Sequence, residues 1–454
     1  MRYTLSILEA HYEALLQIIF SEPGCEGAAY LICGRSVTTT ETRLLVNKVI
    51  PVEIADYHVR EPLRLSIDSR SYARVAKLAA AENLSVVFVH SHPGGIDQFS
   101  PQDDREEPQL MRFLTSRLPS GTHGSLVCSG RHRQQGRVWV GGRWIWMEVV
   151  RIVGERFRSF SRSERRTPPL IEFDRQVRAF GPELQHILSG LHVGVVGAGG
   201  IGSAVGEQLL RLGVGALSVF DGDALDHEGT NLTRVYGSRR EDLGRNKAAR
   251  LVEHLQSIGL NARLSAVPQY INTKEVAQLL RDCDIVFGCT DRQLPRAHLV
   301  QLALRYLIPV FDLGVTIRST DGVIEGIFGR VTTLLASEAC LFCRGRISPE
   351  VIALESKSPV ERAALVAEGY APELETNAPA VIMFTSATAS HAVAQLVHRL
   401  TGYLGDRAST ESIVFFHEGR VRWNRPAPSE CFCADQSLWG IGDTRDFLGV
   451  CWAL

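Results

Sequence analysis

The chain has 454 residues, enough for two to four domains at roughly 100–200 residues each. With 45% hydrophobic and 22% charged residues it has an ordinary globular composition, which excludes a collagen-like, disordered or small disulfide-stapled chain. Its 49 basic and 50 acidic residues leave a formal charge of -1, which argues against a broadly basic nucleic-acid binder or a polybasic membrane-surface protein and leaves room only for a local basic patch.

Taken in chain order, apolar residues at helical spacing predict helices over 8–20 and 71–81. Short apolar runs at 28–33 and 86–89 suit buried strands, and the Val- and Trp-rich stretch 137–146 reads as further strands. Residues 151–169 carry Arg156, Arg158, Arg162, Arg165 and Arg166 among serines and end in Pro168-Pro169, which predicts an exposed linker. Residues 1–150 and 170–454 are thereby expected to form separate α/β domains. The second opens with a helix over 174–180. Strand and helix then alternate at 192–196, 201–212, 216–220, 246–257, 284–287, 296–306 and 308–311. That rhythm predicts βαβ units on a mostly parallel, Rossmann-like sheet. The first residues do not read as a signal peptide, and the longest uncharged stretch, 376–397, is too polar to span a bilayer and reads as a buried helix. A cytoplasmic chain with no membrane or nucleic-acid partner is expected, its ten cysteines reduced or metal-bound.

The strand at 86–89 runs into His90-Ser91-His92-Pro93, and Ser100 and Asp103 follow a Gly-Gly turn. Residues two apart on a strand face the same side, so His90 and His92 can grip one ion, with Asp103 as a third ligand. Three protein ligands leave a tetrahedral position for water, as in catalytic zinc sites. A base must then move the proton of that water. Glu26 is the candidate, and Ser100 is a candidate donor to an oxyanion. A His-Ser-His pair by itself would read as a polar strand end. The full set of Glu26, His90, His92, Pro93, Ser100 and Asp103 resembles the JAMM (MPN+) metalloprotease motif, over about residues 5–150. The resemblance implies a JAMM/MPN domain with a catalytic zinc. That family cleaves isopeptide or peptide bonds after the C-terminal glycines of ubiquitin-like proteins.

Gly197-Ala198-Gly199-Gly200-Ile201-Gly202 follows a strand and opens a helix, which lets backbone close on a phosphate. Asp221, at the end of the next strand, is where an acidic residue binds a ribose hydroxyl. Alone, these features would suit a nicotinamide or flavin enzyme. Asp223, Asn231, Arg234, Lys247 and Asp291 turn the reading toward a triphosphate, with Arg234 and Lys247 as cations and Asp291 as a candidate Mg2+ ligand. Lys247 is conspicuous because Lys48, Lys77, Lys274 and Lys357 are the only other lysines. The set resembles the E1-like (ThiF/MoeB/HesA-type) adenylating enzymes from about residue 170 onward, and residues 174–181 look like that family's opening helix. The resemblance implies ATP and Mg2+ as cofactors and attack of a C-terminal glycine carboxylate on the α-phosphate, giving an acyl-adenylate and pyrophosphate. Asp221 would hold the ribose, Asp291 the Mg2+, and Asn231, Arg234 and Lys247 the phosphates. Arg175 would reach the ATP of the other subunit of a homodimer.

Cys340-Leu-Phe-Cys343 and Cys431-Phe-Cys433 supply four thiolates, enough for a closed structural zinc knuckle. E1-like enzymes with a zinc carry Cys-x-x-Cys in both regions, so the Cys-x-Cys here departs from the pattern. Residues 344–430 hold no cysteine, where many E1 enzymes carry the one that takes over the acyl group. The adenylate is therefore expected to pass to an external thiol, such as that of an E2-like protein. Fusions of these two domains resemble components of bacterial ubiquitin-like conjugation operons, some of which act in antiphage defence. The implied substrate is a ubiquitin-like β-grasp protein. Two rival readings stand beside this one: processing and activation of a sulfur-carrier protein for cofactor or amino-acid biosynthesis, and a ubiquitin-like-binding scaffold with one inactive domain.

Overall fold

Side chains of the strand Ala28–Val37 alternate between two apolar layers, as a two-residue period requires. Ala29, Leu31 and Cys33 meet Tyr12, Leu15, Leu16 and Ile19 of the helix Glu9–Ile19. Ala28, Tyr30 and Ile32 meet Val75, Ala76 and Ala79 of the helix Ser69–Ala81, and Met111 and Leu114 of the helix Pro101–Arg117. The computed structural model describes every residue except 163–167, 370–378, 406–408, 451, 453 and 454. Two units emerge: Met1–Arg166 with Leu304–Leu307 and Asp435–Phe447, and Thr167–Ala303 with Ile308–Ala434 and Leu448–Leu454.

In the first unit, the described residues form a nine-stranded sheet. Its order is Arg158–Ser161, Val149–Val153, Arg2–Leu8, Glu41–Pro51, Ala28–Val37, Ser85–Ser91, His123–Gly130, Arg133–Val140, Arg143–Trp146. Along Ser85–Ser91, Val87 and Val89 join the layer of the first helix, while Val86 and Phe88 join the layer of the other two. The same parity turns His90 toward the helix Pro101–Arg117.

The linker expected at 151–169 is folded over its first half, and the boundary at 150 is corrected accordingly. Val149–Val153 runs parallel to Arg2–Leu8, Arg158–Ser161 closes antiparallel on it, and Ile152 and Val153 are buried. The arginines that read as a solvated strap have acidic partners far back in the chain. Arg158 bonds Glu9 at 2.6 Å, and Arg151 lies 3.3 Å from Glu41. Residues 163–167 of the linker lie outside the described residues.

The C-terminal boundary of the first unit is also revised. The backbone of Gly440 and Ile441 passes so close to Gly34 that a Cβ there would lie 2.1 Å from the Gly440 oxygen. Asp443 accepts from the Val37 amide (2.7 Å) and the Tyr306 hydroxyl (2.7 Å), and Asn47 Nδ2 donates to the Trp439 oxygen (2.6 Å).

The second unit holds an eight-stranded sheet in the order Arg263–Val267, Ala216–Phe220, His192–Val196, Ile285–Gly288, Val310–Thr320, Val323–Leu334, Glu411–Phe415, Arg420–Asn424. The first five strands are parallel and the last three add antiparallel. The order reverses at His192–Val196, and in open α/β sheets ligands bind at the carboxyl ends of strands flanking such a switch. The long stretch expected to be a buried helix is the helix Ile382–Thr401, with Thr385, Thr388, Ala389, Ala392 and Leu396 inward. Residues 376–378 of that expectation lie outside the described residues. Among the described residues, no helix is long and apolar enough to cross a membrane.

Candidate functional sites

Strand parity and one helix N-terminus assemble the first site. His90 and His92 are buried, with their Nε2 atoms 3.1 Å apart. Asp103 presents Oδ1 at 3.3 Å from His90 Nε2 and Oδ2 at 3.7 Å from His92 Nε2. A tetrahedral ion with ligands at about 2.0–2.1 Å spaces them about 3.3 Å apart, so this donor set fits zinc. Its electrostatics agree. Burial lowers both imidazoles, yet the hydrogen bond and charge of Asp103 raise His90 overall, whereas His92 is lowered by burial and then by His90. The pocket thus favours positive charge at the His90 ring, which a divalent cation also supplies. Burial alone would raise Asp103, but His90 and the Ser100 donors hold it well below the usual carboxylate range.

Glu26 Oε1 lies 3.9 Å from His92 Nε2. Burial pushes its carboxyl up to about 7, opposed by His90 and helped by Asp103. Its position follows from Ser91, the residue between the two histidines. Ser91 Oγ accepts from the Gly27 amide at 2.9 Å and donates to the Ile19 carbonyl at 2.8 Å. Gly27 is needed there, since a Cβ would sit 2.3 Å from the Ile19 oxygen. Ser100 is fixed beside the third ligand. It is the N-cap of Pro101–Arg117, in a reciprocal capping box with Asp103: Oγ accepts the Asp103 amide at 3.2 Å, and Asp103 Oδ2 accepts the Ser100 amide at 2.6 Å. The cap orients the third ligand.

Sequence reading missed Glu107. One helical turn after Asp103, it brings Oε1 to 3.6 Å from His90 Nδ1. Ser125 donates to the same oxygen at 2.5 Å, and Arg137 Nη2 to the other at 2.6 Å. Arg137 is sandwiched between Phe99 (3.8 Å to the ring centroid) and Trp144 (4.1 Å). The i, i+4 spacing from Asp103 was the available signal.

The second site lies at the switch point. Gly197, with φ +95°, turns the chain out of the strand so tightly that a Cβ would be 2.8 Å from the Cys289 carbonyl. A Cβ on Gly202 would be 1.7 Å from the Gly197 oxygen. Gly199 caps the helix Gly200–Leu212, and Gly200 starts it against the Arg234 stem. Both Asp221 oxygens already hold backbone, accepting from Ala198 (2.6 Å) and Asp223 (2.8 Å) amides, and burial raises its carboxyl. Asp223 pairs with Lys247 Nζ at 3.2 Å and accepts the Tyr270 hydroxyl, and these partners outweigh burial and lower it. Asn231 is buried and receives the Asp226 amide on Oδ1 at 3.1 Å. Arg234 donates to the Thr230 carbonyl at 2.9 Å. Asp291 is exposed, three residues past the end of Ile285–Gly288, and Arg175 is exposed on the helix Asp174–Phe180. Sequence reading passed over Asn246, which caps the helix Lys247–Ser257 and also donates to the Asp221 and Asp223 carbonyls at 2.8 and 3.1 Å.

Four thiols form a third cluster in the second unit. The Cys340–Cys343, Cys340–Cys431 and Cys343–Cys433 sulfurs are 3.8, 3.6 and 3.4 Å apart. Tetrahedral thiolates at about 2.3 Å from zinc lie about 3.8 Å apart, so the set fits a structural metal. The short turn Phe432–Ala434 lets Cys-x-Cys close the knuckle. Within the cluster a hydrogen bond from Cys340 lowers the Cys433 thiol. Desolvation pushes the thiol of half-buried Cys289 well up.

Residues 173–434 match the model of the ThiF family, and residues 8–141 match that of prokaryotic homologs of the JAB domain. The tRNA threonylcarbamoyladenosine dehydratase of Escherichia coli is 30% identical over 143 residues, 31% of this chain and 53% of that protein. The sulfur carrier protein adenylyltransferase of Thermus thermophilus is 35% identical over 26% of this chain and 43% of its own. The SAMP-activating enzyme E1 of Haloferax volcanii is 28% identical over 37% of this chain and 59% of its own. The chain thus spans between two fifths and three fifths of these relatives. A crystal structure of E. coli MccB with MccA-N7isoASN superposes with a TM-score of 0.47 at 16% identity, over 58% of this chain and 75% of that one.

Proposed function

Since the chain belongs to the ThiF family and carries a JAB-type domain ahead of it, we propose that it both activates and trims the C-terminus of a ubiquitin-like β-grasp protein. One observation supports this reading: a single chain holds Glu26, His90, His92 and Asp103 together in one unit and the glycine loop with Asp221, Asp223, Asn231, Arg234 and Lys247 in the other.

In the first unit His90, His92 and Asp103 would hold a zinc, which would supply Lewis-acid polarisation of a carbonyl and acidification of water. Glu26, held 3.9 Å from His92, would take a proton from the attacking water and return it to the leaving amine. In the second unit the amides of the glycine loop and Gly200–Leu212 receive phosphate oxygens. Asp221 orients the ribose through the acceptor capacity it keeps. Lys247 and Arg234 balance charge as the carboxylate oxygen bonds the α-phosphorus and pyrophosphate departs. Asp291 is the Mg2+ ligand in this reading, and Arg175 serves the other subunit of a homodimer. The cysteine-free stretch 344–430 favours hand-over to an E2-like thiol.

The test supplies ATP, Mg2+ and candidate β-grasp proteins and follows ATP–pyrophosphate exchange and tail cleavage by mass spectrometry. Lys247→Ala should abolish exchange and leave cleavage intact, and His92→Ala should do the reverse with loss of one bound metal. Retained cleavage and unchanged metal content in His92→Ala would refute the protease assignment. A second reading, activation of a sulfur-carrier protein, is favoured by the likeness to the Thermus enzyme. A sulfurtransferase in place of an E2-like acceptor for the adenylate would select it.

A further inference from the structure

A cleft of about 550 Å³ in the second unit is lined by four arginines, Arg344, Arg346, Arg422 and Arg425, against one acid, Glu411. None of them belongs to the glycine loop or the thiol cluster. Glu411 is already engaged: Oε1 takes Nε and Nη2 of Arg346 at 3.3 and 3.2 Å, and Oε2 takes Asn424 Nδ2 at 3.1 Å. Arg425 reaches Glu338 at 2.7 Å. Arg344 is different. Its side chain is only 2% exposed and is fixed through Nε to the Ala339 carbonyl and Nη2 to Thr410 Oγ1, yet Nη1 makes no hydrogen bond. The Glu411 oxygen paired with it stands 3.9 Å away, beyond hydrogen-bond reach. A buried guanidinium N–H without an acceptor is costly, and its charge, only distantly compensated by Glu411, adds to the positive potential of the cleft.

We propose that this cleft receives an acidic, carboxylate-bearing segment of a protein partner, bound extended along the end of the sheet. One further feature favours a peptide over a small anion. The strand Arg420–Asn424, which supplies Arg422 and Trp423 to the cleft, is the last in its sheet and among the described residues pairs only with Glu411–Phe415. Its other edge offers backbone groups to a further strand, while the arginine forks select acidic side chains. The reading does not depend on the proposed catalytic activities.

The experiment uses the full chain and a short fluorescein-labelled Glu-rich peptide, with a Gln-rich counterpart, read by fluorescence anisotropy. The Glu-rich peptide should bind about tenfold tighter or better. Arg422→Glu, at an exposed position, should weaken binding by about tenfold without changing metal content, whereas Arg318→Glu, exposed elsewhere in the same unit, should leave binding unchanged. Equal affinity for the two peptides would overturn the proposal. So would equal loss in the two variants, tighter binding of a short single-stranded RNA, or full displacement of the peptide by inorganic phosphate at physiological concentration.

Discussion

Replacing Glu41 by Gln removes the carboxylate that gathers Arg43 (2.8 Å), Arg151 (3.3 Å) and the Thr4 hydroxyl (2.5 Å) inside the first unit. Burial would raise this group, yet the arginines and the hydroxyl lower it from 4.5 to about 2. The side chain is 7% exposed, so solvent screens little of the effect. A depressed folded value contributes stability above the unfolded value and loses it as pH falls toward the folded one. The full shift corresponds to about 3 kcal/mol near neutrality, of which about 2 kcal/mol disappears between pH 6 and pH 3. Hydrogen–deuterium exchange of amides in Glu41–Pro51 reads the opening free energy locally. The wild-type advantage over Glu41→Gln should be largest at pH 7 and shrink on acidification in that window. A gap of constant size from pH 7 to pH 3 would refute the reasoning, because it would trace the loss to packing and not to the carboxylate charge.

Glu107→Gln keeps the shape beside His90 but removes the charge, and should weaken zinc retention by about 10- to 100-fold in chelator competition. Unchanged affinity would show that Glu107 serves Arg137 alone. Cys433→Ser should cost one metal equivalent by elemental analysis and lower the melting temperature, while the metal bound through His90 and His92 stays. Gly202→Ala would stabilise an unhindered helix by up to about 1 kcal/mol, but here the new methyl meets the Gly197 carbonyl at 1.7 Å. The prediction is therefore loss of ATP–pyrophosphate exchange, and a variant of full activity would contradict the geometry.

What the sequence disclosed was what short-range rules govern. His90 and His92 share a face because a strand repeats every two residues, and Asp103 joins them through a cap three residues long. The glycine loop could be read for the same reason, since Gly197 and Gly202 answer to contacts within their own turn or with the adjacent strand. Long-range pairing was hidden. Arg151 and Arg158 look like a solvated strap until Glu41 and Glu9, 110 and 149 residues away, neutralise them. Glu107 and Arg137 were missed because they meet across 30 residues. Asp221 illustrates another limit: its place at a strand end was legible, but its hold on two backbone amides was not.

The return of residues 435–447 to the first unit bears on where this chain can be cut. Trp439, Ile441 and Phe447 are buried, and they group with a unit whose sequence is interrupted by most of the second. A fragment ending at Arg166 should expose the seat of that returning segment and aggregate, and adding residues 435–447 as a separate peptide should restore its solubility.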